Sequence, residues 1–321
     1  SDAHDIIVVS DLHLGRGKNP ATGRYYRLEA FFYDDDFAHF CDFLIEEARK
    51  KARPFKLVLN GDTFDLLRVD HDPEDGSTLR EKRYGPTLTP EVAVMTMSQI
   101  LEGHPGFVAA LAEVLASGNE VLFLPGNHDI EMQWKGVQDK VRDAILTAVR
   151  ARHDERCAIE AGERLDFRNW YYYEESRVWI EHGCQYDPEN AFRYYLRNKL
   201  EDADEELHKS EVDMPLGTFF QRFLYNKFGN ITFLVPNSRS NVRYFRWLLI
   251  NRPRLLAKVA TDHFPFFWQV LRRIASGTGP LEDLKRHHEE GLDELVNESP
   301  LGDKLRDIDA LKRVEQSGAI F

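Results

Sequence analysis

A chain of 321 residues and 37.3 kDa holds one large domain or two modest ones, and 42% hydrophobic against 30% charged residues is the balance of an ordinary globular protein. The formal net charge of -12 excludes a protein that grips nucleic acid with its whole surface. No run approaches the roughly 18 apolar residues of a membrane-spanning helix, and no basic-then-apolar leader opens the sequence.

The first predicted strand is Ile6-Ile7-Val8-Val9-Ser10, a continuous apolar run of the kind covered on both faces. After a polar loop, Asp34-Asp35-Asp36 opens a predicted helix with Phe37, Phe40, Cys41, Leu44, Ile45 and Ala48 along one side; the acids read as N-cap and dipole partners. Lys56-Leu57-Val58-Leu59-Asn60 is the second strand, and residues 70 to 90 read as a long polar loop over the sheet's edge. Phe107, Val108, Leu111, Val114 and Leu115 mark a helix stopped by Gly118. The third strand is Val121-Leu122-Phe123-Leu124, and the next helix carries Val137, Val141, Ile145 and Val149 at four-residue spacing. From 157 to 181 the chain turns β-rich, with NWYYY and RVWIE as strand candidates. This β-α-β order followed by hairpins predicts an α/β sandwich rather than a helical bundle.

Composition then shifts. Between Met214 and Ala275 ten Lys or Arg stand against one acid, Asp262, amid FFQRFLYNKF, VRYFRWLL and DHFPFFWQVLRR. The predicted organisation is a core over 1–189, a basic, aromatic-rich helical cap inserted over 190–280, and helices over 281–321 that return toward the core. Three cysteines, Cys41, Cys157 and Cys184, form neither a disulfide framework nor a CxxC metal motif, which suits a reducing cytoplasm.

The strand endings repeat a chemistry. The first runs into Asp11-Leu12-His13, the second into Gly61-Asp62-Thr63-Phe64-Asp65, the third into Gly126-Asn127-His128-Asp129, and RVWIE into His182-Gly183. Ligands of open α/β sheets gather at strand C-termini. Taken singly, each Asp or His is an ordinary turn residue; four such endings in order are not. Asp and imidazole suit Mn, Fe, Zn or Ni, and Asp-x-His places both side chains on one side of an extended chain.

These blocks, in this order over residues 11 to 182, resemble the calcineurin-like metallophosphoesterases, whose signature runs DxH, GDxxD, GNH(D/E), a later His and finally GHxH. The resemblance implies a metallophosphoesterase-type β-sandwich flanked by helices and built around two divalent transition-metal ions. It implies Asp11, His13 and Asp62 on one ion, with Asp62 bridging, and Asn127 and His182 on the second. His128 would contact the phosphate or act as acid, oriented by Asp65. The implied reaction is hydrolysis of a phosphodiester, pyrophosphate or phosphomonoester by water that the ions activate.

GHxH occurs nowhere in these 321 residues. His208, His263, His287 and His288 read as surface residues, not replacement ligands. The segment LKRVEQSGAIF reads as a helix tail, a glycine and the start of a strand, and Ser1 stands where an initiating Met is usual. The expectation is that the missing block lies beyond Phe321; the rival expectation is a decayed site. Cys184, two residues past His182, reads as a metal ligand or as small packing.

HGCQYDPENAFRYYLRNKL predicts a helix with Asp187 as N-cap and Pro188 at N1. On it Arg193 and Arg197 share a face, free to clamp a substrate phosphate or to pair with Glu201 and Asp202. The basic insertion has three readings: a plain helical cap, an amphipathic surface for anionic lipid or acyl chains, and contact with single-stranded nucleic acid. The second gains from a further resemblance, to the UDP-2,3-diacylglucosamine pyrophosphatases, which place an acyl-binding helical cap after an HGD block and an Arg-bearing helix. Here HGC replaces HGD and GNHD replaces GNRD. The expected function is a cytoplasmic phosphohydrolase acting on a phosphorylated small molecule or a lipid-linked or nucleotide-linked substrate, peripheral at the inner face of the membrane where the cap meets lipid. The competing readings are a non-catalytic scaffold that binds membrane or protein partners, and a nuclease, with nucleic acid the least suited partner for so acidic a chain.

Overall fold

The computed structural model describes residues 4–71, 85, 86, 88–197 and 280–318, with scattered positions between 214 and 261. Strands β1 (Asp5–Val9), β2 (Phe55–Asn60), β3 (Glu120–Leu124) and β4 (Leu165–Phe167) form one parallel sheet in that order, and β5 (Tyr171–Glu174) and β6 (Val178–Glu181) form an antiparallel pair. Helices α1 (Asp34–Lys51), α2 (Pro90–Gly103), α3 (Pro105–Ala116), α4 (Lys135–Arg150) and α5 (Glu155–Glu163) connect the parallel strands; α6 (Pro280–Glu298) and α7 (Lys304–Gly318) follow.

The strands read as unbroken apolar runs because the sheet is covered on both faces. Leu57, Leu59, Val121 and Phe123 point to one face, where Phe37, Cys41 and Leu44 of α1, Phe107 and Leu111 of α3 and the predicted Val137, Val141, Ile145 and Val149 of α4 close the main core. The alternate residues Val58, Leu122 and Leu124 face Ile180 of the β5–β6 pair. Two sheets packed with helices outside one of them is the α/β sandwich that the element order predicts. β1 differs from expectation: it is an edge strand among the described residues, and Val8 is 47% exposed. The register aligns Val9 with Leu59 and Asn60 with Leu124, so the three strand ends that carry the polar blocks lie level.

Several local expectations need correction. Helix α2, capped by Thr89 Oγ1 on Val92 N–H at 3.3 Å with Pro90 at N1, lies in a stretch for which no helix is predicted, as does α5, whereas β4 falls within the stretch predicted to be β-rich. The α1 N-cap is Tyr33, without a side-chain cap; Asp34 instead accepts from Phe107 N at 3.2 Å on another helix. Residues 187–197 form turns rather than a helix: Asp187 Oδ1 accepts from Glu189 N at 3.0 Å, and Arg197 takes a left-handed backbone, φ 52°. That segment is held by burial, with Phe192, Tyr195 and Leu196 packed against Leu292 of α6 and Leu305 of α7. His288 is buried rather than on the surface, because α6 turns Leu284, His288 and Leu292 inward at four-residue spacing; its Nδ1 accepts from Leu196 N at 3.1 Å. Much of the 70–90 loop and most of the insertion, with Glu201, Asp202, His208 and His263, lie outside the described residues. Among the described residues, no helix is long and apolar enough to cross a membrane.

Candidate metal centre

The loop after β1 is hydrogen-bonded to the loop after β2. Asp11 N donates to Gly61 O at 3.2 Å, His13 N to Asp62 O at 2.9 Å and Leu14 N to Thr63 O at 3.0 Å, while Asp65 N returns to Leu14 O at 2.8 Å. Asp11, His13 and Asp62 all have left-handed backbone, with φ of 57°, 53° and 49°. The Asp-x-His pair therefore converges through two left-handed turns and not, as expected, along an extended strand. Each such residue costs about 1–3 kcal/mol, strain that persists only where the surroundings fix it.

The loop after β3 closes against the same point. His128 N donates to Asp62 Oδ1 at 2.8 Å, and the Asp129 carboxylate accepts from the N–H groups of Asp62, Thr63, Phe64 and Gly126 at 2.6–3.1 Å. A Cβ on Gly126 would sit 2.2 Å from Asp62 Oδ1, and one on Gly61 2.4 Å from His182 Nδ1, so both turns admit only glycine.

Asp62 is the centre. Its Oδ2 lies 3.5 Å from His182 Nε2 and 3.8 Å from His13 Nε2, and His13 Nε2 lies 3.9 Å from Asp11 Oδ1. Two sets of donors have all their atoms within 4.8 Å of one another: Asp11, Asp62 and His182, and His13, Asp65 and His128. Asp65 accepts from two imidazoles, His128 Nδ1 at 3.0 Å and His13 Nδ1 at 3.2 Å, and the two rings meet edge-on at 4.7 Å. His182 Nδ1 donates to Asn60 O at 2.9 Å.

The hydrogen bonds fix which nitrogens are free. A carbonyl and an ionised carboxylate only accept, so His13 and His182 both carry a proton on Nδ1. The Nε2 atoms of both then face a carboxylate that cannot donate to them. That arrangement is satisfied in two ways, by further protons or by cations. Imidazole ligands that give their second N–H to a carboxylate or a carbonyl are the usual support of a metal site. The donor set thus fits divalent ions.

Without an ion, protons fill the role. Burial works against the charged imidazole of His128, yet the charges of Asp65 and Asp62 push it up to about 9. His182 is pushed to about 9 as well, with burial opposed by its hydrogen bond to Asp62. Burial would raise Asp62 and Asp65, but the charge of His128, with the bonds from His182 and His13, holds both below the usual carboxylate range. Asp129 is pushed up to about 6 by burial and by the charge of Asp62.

Stability linkage follows. A histidine with a raised folded pKa stabilises fully below its unfolded value, ~6.5, and loses that contribution as pH climbs through the folded one, here about 9. The expected result is an ion-free Tm that falls between pH 6.5 and 9 and a Mn²⁺-saturated Tm that falls much less. A flat ion-free Tm over that window would show both imidazoles to be neutral.

A family model for calcineurin-like phosphoesterases matches residues 4–288. The chain belongs to that family. No curated protein and no solved structure matches it. The family is one of phosphoester hydrolases that generally bind divalent metals, and the groups around Asp62 are candidate ligands in this chain.

Of the residues singled out in the sequence of this calcineurin-like phosphoesterase, Asp11, His13, Asp62, Asp65, His128 and His182 converge within hydrogen-bonding or ion-pair reach of one another. Asn127 is buried between Gly126 and His128, both of which touch Asp62. Arg193 is exposed on a turn, and Arg197 pairs with Glu290 and Glu294 of α6. Cys184 packs with Ile130, Trp170, Phe192 and Tyr195, and burial pushes its thiol well up, the environment of an inert packing residue rather than a ligand. The sequence reading missed Asn60, whose carbonyl orients His182, and Asp129, whose carboxylate ties two loops together. The GNHD block displays Asp129 in plain view, but its role depends on a loop 67 residues away.

Proposed function

We propose that this chain hydrolyses phosphoester or phosphoanhydride bonds, with two divalent transition-metal ions held by Asp11, His13, Asp62, Asn127 and His182. The observation that carries this reading is the committed Nδ1 proton of both His13 and His182, which leaves two Nε2 atoms aimed at Asp62. The chemistry that divalent ions supply when bound is polarisation of a phosphoryl oxygen and a lowered pKa of water. The chain's residues supply the rest. Asp65 holds His128 through Nδ1, which turns the Nε2 proton toward a phosphate oxygen or the leaving group. Asp129 keeps the GDTFD and GNHD loops in register. Asp11, 57% exposed, marks the open side by which substrate enters.

The test is elemental analysis of protein purified without chelator, followed by hydrolysis of bis-p-nitrophenyl phosphate. The expected result is about two ions per chain and activity that chelation removes and Mn²⁺ restores. A chain that takes up no Mn²⁺ and hydrolyses nothing would overturn the reading in favour of a scaffold.

Kinship with the UDP-2,3-diacylglucosamine pyrophosphatases rested partly on an Arg-bearing helix after HGC, and those residues form turns. A lipid-linked substrate draws support from elsewhere: Leu249 and Ile250, adjacent in the insertion, are 60% and 68% exposed, with Arg246 and Arg254 also exposed. This pattern suits a surface that meets anionic headgroups. Sedimentation with anionic liposomes should pull the protein down at low salt and release it as salt rises. Indifference to headgroup charge would return the insertion to a plain cap.

A further inference from the structure

A second buried cluster of charge lies outside the group around Asp62. Glu29 has a fully buried side chain, and His104 is 1% exposed between it and Asp34. Glu29 Oε1 accepts from Gly15 N at 3.1 Å, Ala30 N at 2.9 Å and Phe31 N at 2.7 Å, and its Oε2 accepts from Gly17 N. His104 reaches the same Oε2 through Nε2 at 3.3 Å and Asp34 Oδ2 through Nδ1 at 2.9 Å.

Ionised carboxylates only accept, so an imidazole bonded to one on each side donates from both nitrogens and is a cation. The surroundings agree. Burial opposes the charge, yet Asp34 and Glu29 push His104 up to about 9, and Glu29 is held low despite burial by His104 and the backbone donors.

The place of this cluster matters more than its charge. Gly15 is two residues past His13, whose backbone, like that of Asp11, is left-handed. Strained residues of this kind hold their conformation only where the chain is fixed on both sides. On one side Asp11, His13 and Leu14 are tied to Gly61, Asp62 and Thr63. On the other, Glu29 takes the N–H of Gly15 and of Gly17. Gly17 also lies against the α2–α3 junction so closely that a Cβ would meet Gly103 O at 2.2 Å. His104 is the next residue of that junction.

We infer that Glu29, held by the imidazolium of His104, is the positioning residue that sets the Asp11–His13 loop for metal binding. The inference rests on the metal reading above. The alternative is a core ion cluster that only adds stability, and Mn²⁺ affinity separates the two.

The experiment is calorimetric titration of Mn²⁺ into the whole chain, with Tm recorded in parallel. Glu29→Gln keeps the shape but turns an –NH₂ toward Gly15 N or Gly17 N, and should weaken Mn²⁺ about 10–100-fold, the range for residues that support ligands. His104→Phe should weaken it in the same direction. Asp34→Asn alters the outer side of His104 and keeps an amide oxygen for Phe107 N; it should give a smaller loss and keeps the test readable where the other two variants do not fold. The control is Asn119→Ala at the far end of the sheet, where Asn119 Oδ1 accepts from Phe55 N at 3.1 Å. It should lower Tm and leave Mn²⁺ affinity unchanged. Variants at Glu29, His104 and Asp34 that lower Tm but bind Mn²⁺ like wild type overturn the positioning role alone. Wild-type protein that takes no Mn²⁺ overturns the metal reading and this inference with it.

Discussion

Asp62→Asn should fold, keep its helix content and lose Mn²⁺ binding together with hydrolysis. The amide is nearly the same shape, and its Oδ1 still accepts from His128 N, so the contact between the GDTFD and GNHD loops survives. The charge does not survive. Asp62 is 3% exposed, and its carboxylate is the group that His13 Nε2 and His182 Nε2 both face. Residues that only support a ligand change metal affinity about 10–100-fold, so loss of the shared anionic ligand should exceed ~100-fold in both affinity and kcat/KM. The ion-free protein should respond too. His128 and His182 lose a charge that raised them, and the fall of Tm toward pH 9 should flatten. Calorimetry with Mn²⁺ is the deciding measurement. An Asp62→Asn protein that binds and hydrolyses as wild type does would remove Asp62 from the centre.

The sequence made the sheet legible for a physical reason. A strand buried on both faces needs an unbroken apolar run, and Leu57–Leu59 and Val121–Leu124 have one. The polar endings of β2 and β3 were legible because each follows such a run, and those of the edge strand β1 and of β6 because they repeat the same chemistry in order. What joins them was not. The resemblance gave Asp65 as the orienter of His128, but that Asp65 also serves His13, and that Asp129 serves four backbone donors, arises from loops brought side by side by the sheet. His288 was misread because a histidine in a charged helix looks solvated until the buried positions Leu284 and Leu292 are seen on either side of it. The helix assumed to carry Arg193 and Arg197 was misread. Pro188 at a would-be N1 and Asp187 before it are equally at home in a turn, and packing of Phe192, Tyr195 and Leu196 decides the matter.

His128→Ala should act unequally on two classes of ester. Its Nδ1 is fixed on Asp65, its backbone N–H on Asp62, and its ring stands edge-on to His13, so Nε2 is the only atom free to meet a substrate. In the ion-free protein Asp65 and Asp62 push His128 up to about 9, so there Nε2 carries a proton at neutral pH. The Asp65 bond at Nδ1 stays in place to hold that charge. A p-nitrophenolate departs without a proton, whereas an alkoxide needs one. General-acid assistance is worth about 10²–10⁴-fold, so the loss in kcat should approach that range for an alkyl phosphodiester and be far smaller for bis-p-nitrophenyl phosphate. The comparison requires Mn²⁺ saturation for both proteins, because Asp65 also orients His13 and a change in metal affinity would reduce both substrates together. Equal losses on the two esters would assign His128 to binding the phosphate rather than to protonating the leaving group. No loss on either would place the chemistry away from this histidine altogether.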